Sequence, residues 1–119
     1  MSDFRMGTGE LRFADLIWKN APIGSGALAK LALEEIGWKK TTAYTVLKRL
    51  CDRGLFLLEN GTVTALVSRE EFYEKQSREY VDSSFDGSLP AFLAAFSRSR
   101  KLKPEEIESL QRLIDESRR

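Results

Sequence analysis

Residues 39–49 read KKTTAYTVLKR and crowd four cations, three threonines and a tyrosine into one short stretch. The chemistry open to these residue types is recognition rather than bond making. Lys39, Lys40, Lys48 and Arg49 can hold phosphates, and Arg49 can also meet a guanine edge with two parallel hydrogen bonds. Thr41, Thr42 and Thr45 carry hydroxyls for bases or phosphates and methyls that fit against a thymine methyl, and Tyr44 adds a phenol. Lys39 and Lys40 stand where a helix would begin, and unpaired N–H groups at a helix start favour phosphate. The competing reading is an ordinary amphipathic helix with a solvated polar face.

Bond-making chemistry finds little support elsewhere. There is no histidine, so the commonest general base and pH switch is missing. With one cysteine, Cys51, the chain has no sulfur or imidazole cluster for zinc or copper and forms no internal disulfide. Neither a glycine-rich phosphate loop nor a nucleophile elbow is present. The sequence reads as a non-enzyme with no cofactor and no metal. Cys51 reads as a small buried hydrophobe in preference to a redox switch. Net charge is +1, so a nucleic-acid signal has to be local, as it is here. A lone cysteine, no long apolar run and no apolar leader in MSDFRMGTGELRF point to a cytoplasmic location.

The elements that must position residues 39–49 follow from periodicity and punctuation. Residues 1–8 read as a frayed start. A first helix is expected over residues 10–20, with Leu11, Phe13, Ala14, Ile17 and Trp18 as its apolar side, stopped by Pro22. Ser25 is the expected N-cap of a second helix over 26–36, carrying Leu28, Leu31, Ala32 and Ile36 inward and ending at Gly37. The third helix is expected over 41–53, closed by Gly54. At about 100° per residue, Ala43, Val46, Leu47, Leu50 and Cys51 face one way. Thr41, Thr45, Lys48 and Asp52 face the other, flanked by Thr42, Tyr44 and Arg49. LFLLEN and TVTALV then read as two strands around Asn60-Gly61, a strong hairpin signal. Three helices followed by a hairpin is the order of a winged helix-turn-helix. The wing tip, ENGT, carries no cation. Trp18 and Trp38 read as packing residues.

Ser68–Glu71 is a capping-box pattern that opens a fourth, highly polar helix to about residue 81. DSSFDGS reads as a loop, Ser88 as the cap of a fifth helix, RSRKLK as a break, and Pro104 as the start of a sixth. Leu89, Phe92, Leu93 and Phe96 form one apolar stripe, and Ile107, Leu110, Leu113 and Ile114 another. Two short helices cannot bury both stripes alone. A shared core with a second copy of the chain would do so, and it would supply the second half-site reader that specific DNA binding calls for. Folding back onto the first three helices is the alternative.

The segments LIWKNAPIGSGAL, GWKKTTAYTVLKRLCDRGLF, FDGSLPAFLAAF and LKPEEIESLQRLID resemble the BlaI/MecI penicillinase-repressor family over about residues 9–117. The most specific piece is W-K-x-T-T-x-x-T-x-L-x-R-L followed by R-G-L, and L-x-P-E-E-I-x-x-L is an independent match near the C-terminus. The resemblance implies a homodimeric repressor whose winged helix binds an inverted-repeat operator with TACA/TGTA half-sites. It places DNA contact on Thr41, Thr42, Tyr44, Thr45, Lys48 and Arg49. It also implies a membrane-bound sensor metalloprotease that cuts the dimerisation region. The implied bond is Ala95–Phe96, where the family's phenylalanine is kept and its asparagine is not. Tyr44 stands where better-known members carry a cation, and the cysteine cluster of copper-responsive relatives is absent.

The resulting expectation is a mainly α chain with a small β-hairpin. Residues 1–67 would form a winged helix-turn-helix DNA-binding domain, and residues 68–119 a helical dimerisation region. A ligand-responsive repressor of the MarR type and a winged helix used as a protein-interaction module are the alternative functions.

Overall fold

The computed structural model describes residues 6–119. Six α-helices and a three-stranded antiparallel sheet follow one another among the described residues, in the order α1 (Thr8–Asn20), β1 (Ile23–Gly24), α2 (Ser25–Ile36), α3 (Lys40–Asp52), β2 (Phe56–Glu59), β3 (Thr62–Ala65), α4 (Arg69–Phe85), α5 (Leu89–Ser99) and α6 (Pro104–Ser117). The mainly helical winged-helix expectation holds. Positions 1–5 of the expected frayed start lie outside the described residues, and Thr8 already opens α1.

The hairpin forms at Asn60-Gly61 with both residues at positive φ (52° and 75°), the requirement of the tight turn that matches strand twist. Glu59 faces Thr62, and Phe56 faces Ala65. The sheet has a third strand that the sequence pattern does not signal. Ile23 and Gly24 pair with Val63 and Thr62, giving the order β1-β3-β2. Its origin explains a second difference. Ser25 was expected outside α2 as its cap, but it is the first helical residue and Gly24 takes the cap position. The Ser25 backbone N–H donates to the Gly61 carbonyl at 2.8 Å, drawing the start of α2 onto the wing turn.

The core of the first compact unit, which ends at Glu79, collects one face of each element. Phe13, Ala14 and Ile17 come from α1, Leu28, Ala29 and Ala32 from α2, and Ala43, Val46, Leu47 and Leu50 from α3. Leu55, Phe56, Val63 and Phe72 complete it. Leu31 and Ile36, expected inward, are only half-buried. The Trp18 ring lies 5.3 Å from Phe56 and 5.4 Å from Phe72 between centroids, and its indole N–H donates to the Val67 carbonyl. The Ser68 capping box forms reciprocally. The Glu71 N–H donates to Ser68 Oγ at 3.0 Å, and the Ser68 N–H donates to Glu71 Oε1 at 2.9 Å. Hydrogen bonds from Ser68, its backbone N–H first and then its side-chain hydroxyl, hold the Glu71 carboxyl below its ordinary range.

The second unit runs from Tyr80 to Arg119. Asp82–Phe85, expected in a loop, is helical, because Phe85 packs on Tyr80 and Phe92. The chain turns only at Asp86 and Gly87, both at positive φ. Ser88 caps α5 through the Ala91 N–H, as its position implies. The break after α5 is an ordered corner. Arg100 forms two parallel hydrogen bonds with the Glu106 carboxylate, at 2.9 and 2.8 Å.

Candidate nucleic-acid interface

Helix α3 is anchored along one side and closed at its C-terminus. Ala43, Val46, Leu47 and Leu50 are almost fully buried, which fixes the rotation of the helix about its own axis. At its C-terminus, Gly54 at φ +82° lets its own N–H reach the Cys51 carbonyl and the Leu55 N–H reach the Leu50 carbonyl, a Schellman motif. Before its N-terminus, Trp38 packs on Phe13 with ring centroids 5.2 Å apart. Gly9 lies beneath the same indole, and a Cβ there would stand 3.1 Å from the Trp38 ring.

The side chains left outside are the polar ones. Lys39, Lys40, Thr41, Thr42, Thr45, Lys48 and Arg49 are all exposed. Lys39 occupies the cap position of α3 and supplies no side-chain cap, so the first N–H groups of the helix keep their affinity for an anion. Tyr44 departs from the wheel. It is half-buried against the core, with the Lys40 ammonium 5.9 Å from its ring centroid. Thr45 donates its hydroxyl back to the Thr41 carbonyl at 2.9 Å, which leaves its methyl as its outward group. Lys48 pairs with Asp52 at 3.3 Å in open solvent, where such a pair is weak. Arg49 pairs at 3.4 Å with Glu10 of α1.

Beside α3 stands the wing, tied through Gly61 to α2. Leu57 and Leu58 on β2 are exposed, so the wing offers apolar surface rather than charge. Cys51 is half-buried. Burial first, then the neighbouring Asp52 charge, pushes its thiol above the usual range and keeps it protonated. That suits a packing role.

In the second unit no residue of α5 or α6 is buried. Leu89, Phe96, Ile107, Leu113 and Ile114 are exposed large hydrophobics. Phe92, Leu93 and Leu110 are half-buried and line a groove of about 420 Å³ between the two helices. Ala95 and Phe96 lie inside α5, with Ala95 half-buried.

A sequence profile described as Penicillinase repressor matches residues 6–116, nearly the whole chain. The chain belongs to the penicillinase repressor family. It is similar to the penicillinase repressor of Bacillus licheniformis, at 26% identity over 111 residues that cover 90% of this chain and 87% of the relative. Penicillinase repressors are DNA-binding transcriptional regulators and not enzymes, and this chain is a transcriptional repressor of that kind. Among the described residues no helix is long and apolar enough to cross a membrane.

Within this family member the structure gathers the eight sequence-selected residues of 39–49 around one helix, but it does not leave them all without partners. Sequence reasoning missed Glu10, because its relation to Arg49 links the first turn of α1 to α3 and follows no local spacing. It also missed Arg12, which donates to the Glu35 carbonyl at 2.8 Å, and the 2.9 Å pair of Asp15 with Arg69. Both fasten α1 to neighbouring elements.

Proposed function

We propose that the chain acts as a cytoplasmic homodimer on an inverted-repeat operator with TACA/TGTA-type half-sites, each chain laying α3 in a major groove. One observation carries this reading. The helix is locked by four buried residues, and the side chains it turns outward are the hydrogen-bonding and cationic ones suited to base edges and phosphates. Lys39, Lys40 and Lys48 anchor phosphates. Thr41, Thr42, Thr45 and Arg49 face the bases, with half-buried Tyr44 at their edge. Bound there, the repressor excludes the transcription machinery from the same stretch of duplex.

Dimerisation is supported by the apolar stripes of α5 and α6, none of whose residues is fully buried among the described residues. Pairing these stripes with those of a second copy removes them from water and sets two recognition helices one helical turn apart or a multiple of it. Induction by a membrane-bound sensor metalloprotease fits the same region. A cut at Ala95–Phe96 severs Leu89, Phe92 and Leu93 from Ile107, Leu110, Leu113 and Ile114. Because that bond lies within a helix, α5 has to open before a protease can take it.

The test is stoichiometry together with footprint. Full-length protein on a duplex carrying the inverted repeat should load two chains and protect two patches spaced by a helical turn. One chain per duplex, or uniform protection, contradicts the reading.

A ligand-responsive repressor is the second reading. A groove of about 680 Å³ lined by Asp15, Trp18, Lys19, Thr64 and Arg69 favours it. It expects release from DNA by a small molecule with the chain intact.

A further inference from the structure

The pair between Glu10 and Arg49 differs in kind from the other ion pair on α3. Lys48 and Asp52 lie one turn apart on the same helix, with side chains 79% and 68% exposed, and water competes freely for both. Glu10 reaches Arg49 from another helix. Its side chain is only 22% exposed, and its second carboxylate oxygen, Oε2, is buried with no hydrogen-bond partner among the described residues. A carboxylate stripped of water on one side is held chiefly by the cation on the other. Gly9 makes the approach possible. Lacking a Cβ, it lets the first turn of α1 settle on the Trp38 indole directly before α3.

We infer that Glu10 is a specificity-determining residue of the DNA face, acting as a positioning residue through Arg49. This rests on the operator-binding reading above. The Arg49 guanidinium carries five donors in a rigid fork, and Glu10 engages it at Nη1 and leaves the side chain 49% exposed. Two consequences follow. The guanidinium is presented in one orientation, as base readout requires. Its charge is also partly cancelled, so it adds less to the contact with phosphates that any duplex offers. Glu10 therefore lowers affinity for random DNA while leaving Arg49 placed for the operator.

The experiment uses full-length protein, a fluorescent duplex of scrambled sequence, and anisotropy titrations across a range of salt. Glu10→Gln keeps the shape of the side chain and removes the charge. It should raise affinity for the scrambled duplex about two- to fivefold and steepen the salt dependence by about one phosphate per chain. Glu10→Asp keeps the net charge and withdraws the carboxylate from Arg49, and it should also raise that affinity. Thermal melts of both variants report folding separately from binding. The inference is overturned if neither variant changes affinity or slope. It is equally overturned if Gln raises affinity and Asp does not, since net charge would then account for the whole effect. A wild-type protein without salt-dependent DNA binding would instead remove the operator-binding reading itself.

Discussion

The indole N–H of Trp18 on α1 donates to the carbonyl of Val67 at 3.0 Å, joining the first helix to the segment between the wing and α4. Trp18→Phe keeps a ring beside Phe56 and Phe72 but removes the donor, leaving a half-buried carbonyl unanswered. The expected loss is about 1–2 kcal/mol, read from urea unfolding at constant slope. An unchanged midpoint would show that the bond contributes nothing net.

The corner between α5 and α6 should respond to acid. The Glu106 carboxyl is lowered to about 2 by hydrogen bonds from Arg100, then by the Lys103 backbone N–H. A depressed carboxylate pKa adds stability above the ordinary value of 4.5, and that stability is lost as pH falls through about 2. The side-chain carboxyl of Glu106, followed by NMR, should stay ionised at pH 3.5, where an ordinary glutamate is mostly protonated. Titration of Glu106 near 4.5 would show that the Arg100 fork is not held in solution.

Burial of the α5 and α6 stripes depends on a partner. Leu113 is 59% exposed in the single chain, so Leu113→Glu costs an isolated chain little. In a dimer the new charge would be buried opposite its twin, and the variant should sediment as a monomer at concentrations where the wild type is dimeric. Two dimeric proteins would place the interface elsewhere.

Arg49→Ala removes the side chain best placed for a two-pronged base contact. Binding to an inverted TACA/TGTA repeat should weaken by about 1–3 kcal/mol, measured at moderate salt. Equal affinities would take Arg49 out of the interface.

Much of this architecture is legible in local pattern. The Asn60-Gly61 turn, the Ser68 box, the Ser88 cap and the apolar side of α3 each follow from residues within one turn of each other. What escaped depends on distant partners. Strand β1 is two residues long and too short for alternation, and it forms because Thr62 and Val63 come alongside. Asp82–Phe85 has a loop composition, but Phe85 finds Tyr80 and Phe92 and the helix continues. At the candidate site, residue types and spacing placed the cations on one helix. They could not reveal that Glu10 takes up Arg49, that Thr45 turns its hydroxyl back to Thr41, or that Tyr44 leans into the core.

The central claim is that α3 carries sequence-specific DNA recognition within a dimer. Its most direct test is the affinity of full-length protein for an inverted TACA/TGTA repeat and for a scrambled duplex, each measured from low to moderate salt. The account predicts tighter binding to the repeat at every salt concentration and a steep linear fall of log affinity with log salt on both. Equal affinities for the two duplexes, or binding indifferent to salt, would contradict it.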